Sequence, residues 1–142
     1  MAYDLVILGG GPAGMMAGLL FARAGVKTLV LEKHRDFLRD FRGDTVHPST
    51  MQIFHELGLL DEFLQRPHNK VEQLGARIVG QFKRVADFRC LPVAAPFIAL
   101  MPQWDFLDFV AQKARLYPKF ELRQCCAGEG LIEEDGRARV CS

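Results

Sequence analysis

The sequence has little of what usually marks a metal or acid–base centre. Its four cysteines, Cys90, Cys125, Cys126 and Cys141, include no C-x-x-C spacing, and its four histidines are not paired at ligand distance. That argues against a zinc site. Charge of neither sign dominates: 18 basic and 17 acidic residues leave a formal charge of +1. A mainly electrostatic attachment to nucleic acid or to an anionic membrane is therefore not expected. The longest apolar stretch, around MMAGLLFARAG, is broken at Arg23 and is too short to span a bilayer. No basic leader precedes the first apolar run, because MAYD passes straight into it. The chain is accordingly expected to be cytoplasmic, with its cysteines as buried thiols. Internal repeats and low-complexity tracts are absent, as is any nucleophile or acid–base pair that would make a catalytic residue.

What is present is ordinary core material and one unusual loop. A chain of 142 residues is one domain or a piece of a larger one. Its 49% apolar content and 11 phenylalanines exclude a disordered segment. Residues 3–8, YDLVIL, read as a strand buried on both faces. Residues 13–24 read as a helix rich in Ala, Leu and Met and stopped by Gly25, and residues 26–32, VKTLVLE, as a second strand. A crossover of that length implies parallel strands. After a charged, irregular stretch, Pro48 suits the first turn of a helix that ends near Gly58. A short helix around LLDEFL follows. Residues 71–101 change pattern, with Gly75 and Gly80 interrupting strand-like runs, and read as a hairpin excursion that returns at FIALM. Residues 104–116 place Trp104, Leu107, Val110, Ala111 and Ala114 on one helical face. The segments FELRQC, EGLIE and RARVCS read as three short strands, with Asp135-Gly136 as a hairpin turn.

The loop is GGGPAG. Gly9, Gly11 and Gly14 satisfy G-x-G-x-x-G between a strand and a helix, and Pro12 and Ala13 open that helix. The three glycines meet separate physical demands, which are a tight turn, close approach of backbone to a pyrophosphate, and close helix–strand packing. The free N–H groups and positive dipole end of the helix then face the phosphates. Glu32 ends the second strand about twenty residues further on, where a carboxylate accepts hydrogen bonds from a ribose and repels a 2′-phosphate. The combination points to FAD or NAD and disfavours NADP. The fingerprint alone does not separate the first two, since both carry an ADP half.

A family resemblance does. VILGGGPAGMMAGLLFARAGVKTLVLEKH resembles the N-terminus of the FAD-dependent aromatic hydroxylases, flavoprotein monooxygenases built like p-hydroxybenzoate hydroxylase. FRGDTVHPSTMQIFHELGLLDEF is similar to the segment after the second strand in that family, and MPQWDFLDFVAQKA to its glutamine-bearing strand-to-helix junction. The resemblance runs through essentially the whole chain and is most specific at RGDTVHPST. It implies an α/β fold: a Rossmann-like FAD-binding βαβ fold with a parallel sheet and a small antiparallel β-meander, truncated. It implies a division into a βαβ core (1–70), the first substrate-domain strands (71–101) and a return to the FAD-binding domain (102–142). By position, Glu32 would hold the adenosine ribose and Lys33 would lie near the adenine. Arg42 would reach the phosphates, Gly43 to Val46 would run close to the flavin ring, and Gln103 would bond near the ribityl chain. The activity implied is FAD-dependent oxidation, with NAD(P)H as transient reductant, O2 as co-substrate and a small, aromatic organic substrate. Reductases, dehydrogenases and halogenases of the same fold are alternatives, as is a non-catalytic nucleotide-binding fragment.

Other residues draw a plainer reading. His47 is structural or solvated, and Trp104 is a core or helix-start anchor. Cys125-Cys126 has the letters of a redox pair, but neighbours on a strand face opposite ways, and one buried and one exposed thiol is the plainer reading. Asp135-Gly136 and Gly43-Asp44 have the letters of later family motifs in the wrong places. The chain stops at Ser142 inside a strand pattern, and family members are several times longer. A fragment is therefore expected, inactive by itself, binding the ADP half of its cofactor but FAD weakly, and prone to self-association at an unfinished sheet edge.

Overall fold

The computed structural model describes residues 2–38, 44–134 and 137–141. In chain order its elements are β1 (Leu5–Leu8), α1 (Pro12–Arg23), β2 (Thr28–Leu31), β3 (Thr45–Val46), α2 (Pro48–Glu56), α3 (Leu60–Phe63), β4 (Asn69–Val71), β5 (Gln73–Ile78), β6 (Gln81–Asp87), β7 (Ile98–Leu100), α4 (Gln103–Ala114), β8 (Phe120–Arg123), β9 (Gly130–Glu134) and β10 (Arg137–Cys141). A single 3-10 turn, Phe88–Cys90, follows β6. The chain divides into two compact units, Met1–Arg39 with Phe106–Ser142, and Asp40–Asp105.

The first unit is built on a parallel sheet of order β1-β2-β8. β2 is buried at all four positions, as a central strand covered on both faces should be. α1 crosses from β1 to β2 and buries Met15, Gly18, Leu19 and Ala22, the i, i+3, i+4, i+7 stripe of an amphipathic helix. Its contact with the sheet is close. A Cβ at Gly18 would meet Val30 Cγ2 at 2.8 Å and Phe120 Cε2 at 2.9 Å. β9 and β10 pair as a two-stranded antiparallel ribbon. The expected turn at Asp135-Gly136 falls outside the described residues.

The structure corrects three expectations. β1 starts at Leu5 and is not buried on both faces: Leu5 and Ile7 are half-buried while Val6 and Leu8 are exposed. It is an edge strand of this sheet, so only the face under α1 is covered. β8 does not belong with β9 and β10 but pairs parallel to β2, Phe120 opposite Thr28 and Arg123 opposite Leu31. Trp104, expected on the packed face of its helix, is 39% exposed, while Phe106 and Phe109 are buried. It stands at the second position of α4, ahead of the buried Phe106, Leu107 and Phe109.

Tyr3, ahead of β1, is tied across β2 to side chains of β8. The Tyr3 hydroxyl donates to Glu121 Oε2, Arg123 Nη2 donates to the Tyr3 hydroxyl at 2.9 Å, and Arg123 Nε donates to Glu121 Oε1 at 2.6 Å. The Lys27 ammonium lies 5.1 Å from the Tyr3 ring centroid. The hydrogen bond from Tyr3, then that from Arg123, holds the Glu121 carboxyl below the usual range. The same bond to Glu121 raises the Tyr3 hydroxyl above its own.

The second unit has an antiparallel sheet of order β3-β7-β4 and a separate hairpin of β5 and β6. α2 begins at Pro48 as expected and buries Met51 and Phe54; α3 buries Leu60 and Phe63, and the Phe54 and Phe63 rings stand 4.7 Å apart. The hairpin turns at Val79-Gly80 and carries a register shift between Leu74 and Gly75, the two places where glycines interrupt the pattern. Gln73 Nε2 donates to Asp87 Oδ2 at 2.7 Å and Arg89 Nη2 to the same oxygen at 2.8 Å. These bonds, Arg89 foremost, hold the Asp87 carboxyl well below the carboxylate range.

A group whose carboxyl is depressed by folding adds stability above its unfolded pKa, and that stability is lost as pH falls through the folded value. Tyr3→Phe removes the largest cause of the Glu121 depression. Thermal melts should therefore show the variant less stable than wild type near neutral pH, with the difference closing below about pH 4. A difference that stayed constant across that range would assign the loss to packing of the ring alone.

Candidate nucleotide-binding site

β1 ends at Leu8 and the chain turns at once. Gly9 has a φ of +103°, a conformation open to glycine and strained for any other residue, and its N–H donates to Leu31 O at 2.8 Å. Gly11 is the N-cap of α1 with ordinary extended angles, Pro12 takes the first helical position, and Met15 N–H closes the first turn onto Gly11 O at 2.9 Å. The first turn holds no acidic side chain. The N–H groups of Ala13 and Gly14 have no intrahelical acceptor by helix geometry and, with the dipole, make this end attractive to an anion.

The glycines differ in what they leave room for. A Cβ on Gly14 would fall 2.0 Å from Gly9 O and 3.3 Å from Ile7 Cγ2, so the helix could not sit this close with any other residue. A Cβ on Gly11 would meet nothing within 4 Å. The space beside Gly11 is open, as a site for a phosphate requires.

Glu32 lies just past the end of β2 and is 6% exposed. Its N–H donates to Arg123 O at 2.8 Å, which extends the β2–β8 ladder by a residue. Its carboxylate is clasped by backbone: Gly10 N–H donates to Oε2 at 2.7 Å and His34 N–H to Oε1 at 3.0 Å. Carboxylate oxygens have two lone pairs each, so a clasped acid still has acceptor capacity for ribose hydroxyls. Lys33 follows it and is exposed.

Gly10 is a site residue that the motif spacing does not reveal. It is buried, its N–H holds the acid, and a Cβ there would stand 3.0 Å from Glu32 Cβ. The signal for it is the unbroken GGG run, in which the middle residue has no role in the G-x-G-x-x-G pattern. Of the other expected residues, Gln103 opens α4 in the second unit and is half-buried. Arg42 and Gly43 lie outside the described residues, as does part of the segment expected near the flavin. His47 is the exposed N-cap residue of α2, and its carbonyl accepts from Thr50 N–H at 3.0 Å. Among the described residues no group of three or more His, Cys, Asp or Glu could hold a metal ion, and no helix is long and apolar enough to cross a membrane.

Ligands of open α/β sheets bind beyond the carboxyl ends of the strands. The glycine turn after β1, the free end of α1 and the acid after β2 all stand at that edge, which is the arrangement of a Rossmann-type dinucleotide-binding domain. The family is narrower. A sequence profile described as FAD binding domain matches residues 2–139, and the chain belongs to that family. It is 29% identical to 6-methylpretetramide 4-monooxygenase of Streptomyces rimosus, over 97% of this chain and 34% of that protein. It is 31% identical to a 1H-pyrrole-2-carbonyl-[peptidyl-carrier protein] brominase of Pseudoalteromonas luteoviolacea, over 96% of this chain and 32% of that one. Among solved structures, the anhydrotetracycline hydroxylase of Streptomyces rimosus superposes with a TM-score of 0.81 at 27% identity, over 99% of this chain and 28% of its own. The p-nitrophenol 4-monooxygenase of Pseudomonas putida does so with a TM-score of 0.80 at 25% identity, over 94% of this chain and 34% of its own. The chain spans about a third of the length of these relatives.

The two glycines should separate stability from binding. Gly11→Ala places its methyl group in open space at allowed angles and should leave the melting temperature unchanged or slightly raised. Gly14→Ala forces the helix off the turn and should cost about 1–3 kcal/mol in denaturant unfolding. Equal effects on stability would contradict the spacing described here.

Proposed function

We propose that this chain is the FAD-binding part of a longer flavin-dependent monooxygenase that takes electrons from NAD(P)H and uses O2 to hydroxylate a small aromatic substrate. The observation that carries this reading is the family match over residues 2–139, joined to the clasped Glu32 beside an open glycine turn. The residues present fit the cofactor. Gly9, Gly11, Pro12, Ala13 and Gly14 would hold the pyrophosphate, Glu32 the adenosine ribose and Lys33 the adenine edge. Arg42, Gly43 and Gln103 would hold the remainder of FAD, and residues 71–101 would begin the substrate domain. FAD, when bound, supplies the redox chemistry. The chain's own residues bind it, orient it and, through the Glu32 carboxylate, select a free ribose 2′-hydroxyl over a 2′-phosphate. Halogenation is the second reading, favoured by the likeness to the brominase.

Titration of the chain with FAD, ADP and NAD, followed by flavin absorbance and Trp104 fluorescence, tests the nucleotide site. ADP should bind, with FAD little tighter because the contacts beyond the ADP half lie largely in the rest of the parent. Gly11→Val and Glu32→Lys should each weaken binding by at least about tenfold, or about 1.4 kcal/mol. Absence of binding by every nucleotide, or indifference to both substitutions, would overturn the reading.

Self-association of the chain belongs to the same proposal. Val6 and Leu8 stand exposed on the edge strand of the parallel sheet, an arrangement that invites pairing. Light scattering at micromolar concentration should show dimers or larger species, and Leu8→Lys should shift them towards monomer. A monodisperse wild-type monomer would count against it.

A further inference from the structure

Cys125 and Cys126 stand where strand alternation does not apply. β8 stops at Arg123, and Cys125 takes a φ of +58°, the left-handed region that disfavours a residue with a side chain. Cys125 is exposed and Cys126 half-buried. Their backbone is bonded to the segment that carries the nucleotide acid: Cys125 N–H donates to His34 O at 3.1 Å and Cys126 N–H to Glu32 O at 2.9 Å. His34 N–H in turn holds one Glu32 carboxylate oxygen and Gly10 N–H the other. Two thiols thus flank a single peptide bond whose N–H is fastened to the residue expected to grip the ribose.

The geometry points to Cys125-Cys126 as a peroxide-sensitive dithiol whose closure to a disulfide loosens the Glu32 clasp. Cys125, the exposed member, reacts first: its thiolate attacks hydrogen peroxide, an S–O bond forms as the O–O bond breaks, and hydroxide leaves and is protonated to water. The Cys126 thiolate then attacks that sulfur, the S–S bond forms, and the sulfenic oxygen departs as a second water. In sum, two thiols and one hydrogen peroxide give a disulfide and two waters. The source of peroxide rests on the proposed function, in which the bound cofactor's redox chemistry would supply it. The coupling to Glu32 does not rest on it. A disulfide requires its Cβ atoms about 3.8 Å apart. For the sulfurs of adjacent residues to meet, the peptide between them must turn, and its N–H is the donor to Glu32 O.

The test uses the whole chain with Cys90→Ser and Cys141→Ser, alongside wild type to control for those changes, and needs no nucleotide. After hydrogen peroxide treatment, peptide mass mapping should show the segment holding both cysteines lighter by two hydrogens, restored by a dithiol reductant. Amide exchange at Gly10, His34 and Cys126 should quicken by at least about fivefold in the oxidised form. In the Cys126→Ser variant the sulfenic acid should persist on Cys125 and be trapped by dimedone. Over-oxidation of Cys125 with Cys126 present, bonds between chains in place of the internal one, or an internal bond that leaves exchange at Gly10 and His34 unchanged would each overturn the proposal. Failure of ADP titration with this result intact would fault the nucleotide reading alone.

Discussion

The approach of Gly14 to Gly9 is the contact on which the first unit depends. A methyl group on Gly14 would lie 2.0 Å from the Gly9 carbonyl, well inside any van der Waals separation. With hydrogen there instead, α1 starts directly over the end of β1 and runs back along the sheet. Gly18 extends the same close approach one turn further, against Val30 and Phe120. That line of small residues sets the height of the helix above the sheet. The height in turn decides where the free N–H groups at the start of α1 stand relative to the carboxyl edge of the strands.

The acid clasp follows from that placement. A carboxylate that is 6% exposed would be costly without donors, and Gly10 and His34 supply them from backbone. The loop after β1 and the strand end after β2 are therefore tied by charge-assisted bonds as well as by the sheet ladder. The Glu32 carboxylate is thus held in place by the chain's own backbone. The entry to β1 is joined to β8 over β2 by side chains instead, those of Tyr3, Glu121 and Arg123. The glycine loop is fastened by backbone donors, Tyr3 and β8 by side chains whose bonding depends on pH.

The local parts of this arrangement were legible in the residues. The glycine loop, the helix stopped by Gly25, the second strand and the acid that follows it all come from spacing within about thirty residues. Pro48 opening α2, and Gly75 and Gly80 marking irregularities of the hairpin, follow from the conformational limits of single residues. Gly10 was not legible in this way, because its role is defined by a partner 22 residues away and not by its place in the motif.

What the sequence determined by itself is the class of the protein: a βαβ unit with an open glycine turn after its first strand and an acid after its second, because those depend on short-range sterics and periodicity. Tertiary structure alone decided which strand flanks β2, since FELR has the same alternation whether it pairs with its neighbour EGLIE or with Thr28–Leu31 far back in the chain. It also decided that Val6, Leu8 and Trp104 stand exposed, and that the cysteine pair leaves the strand and fastens by its backbone to His34 and Glu32. Side-chain period states which residues share a face; only long-range pairing states whether that face is covered.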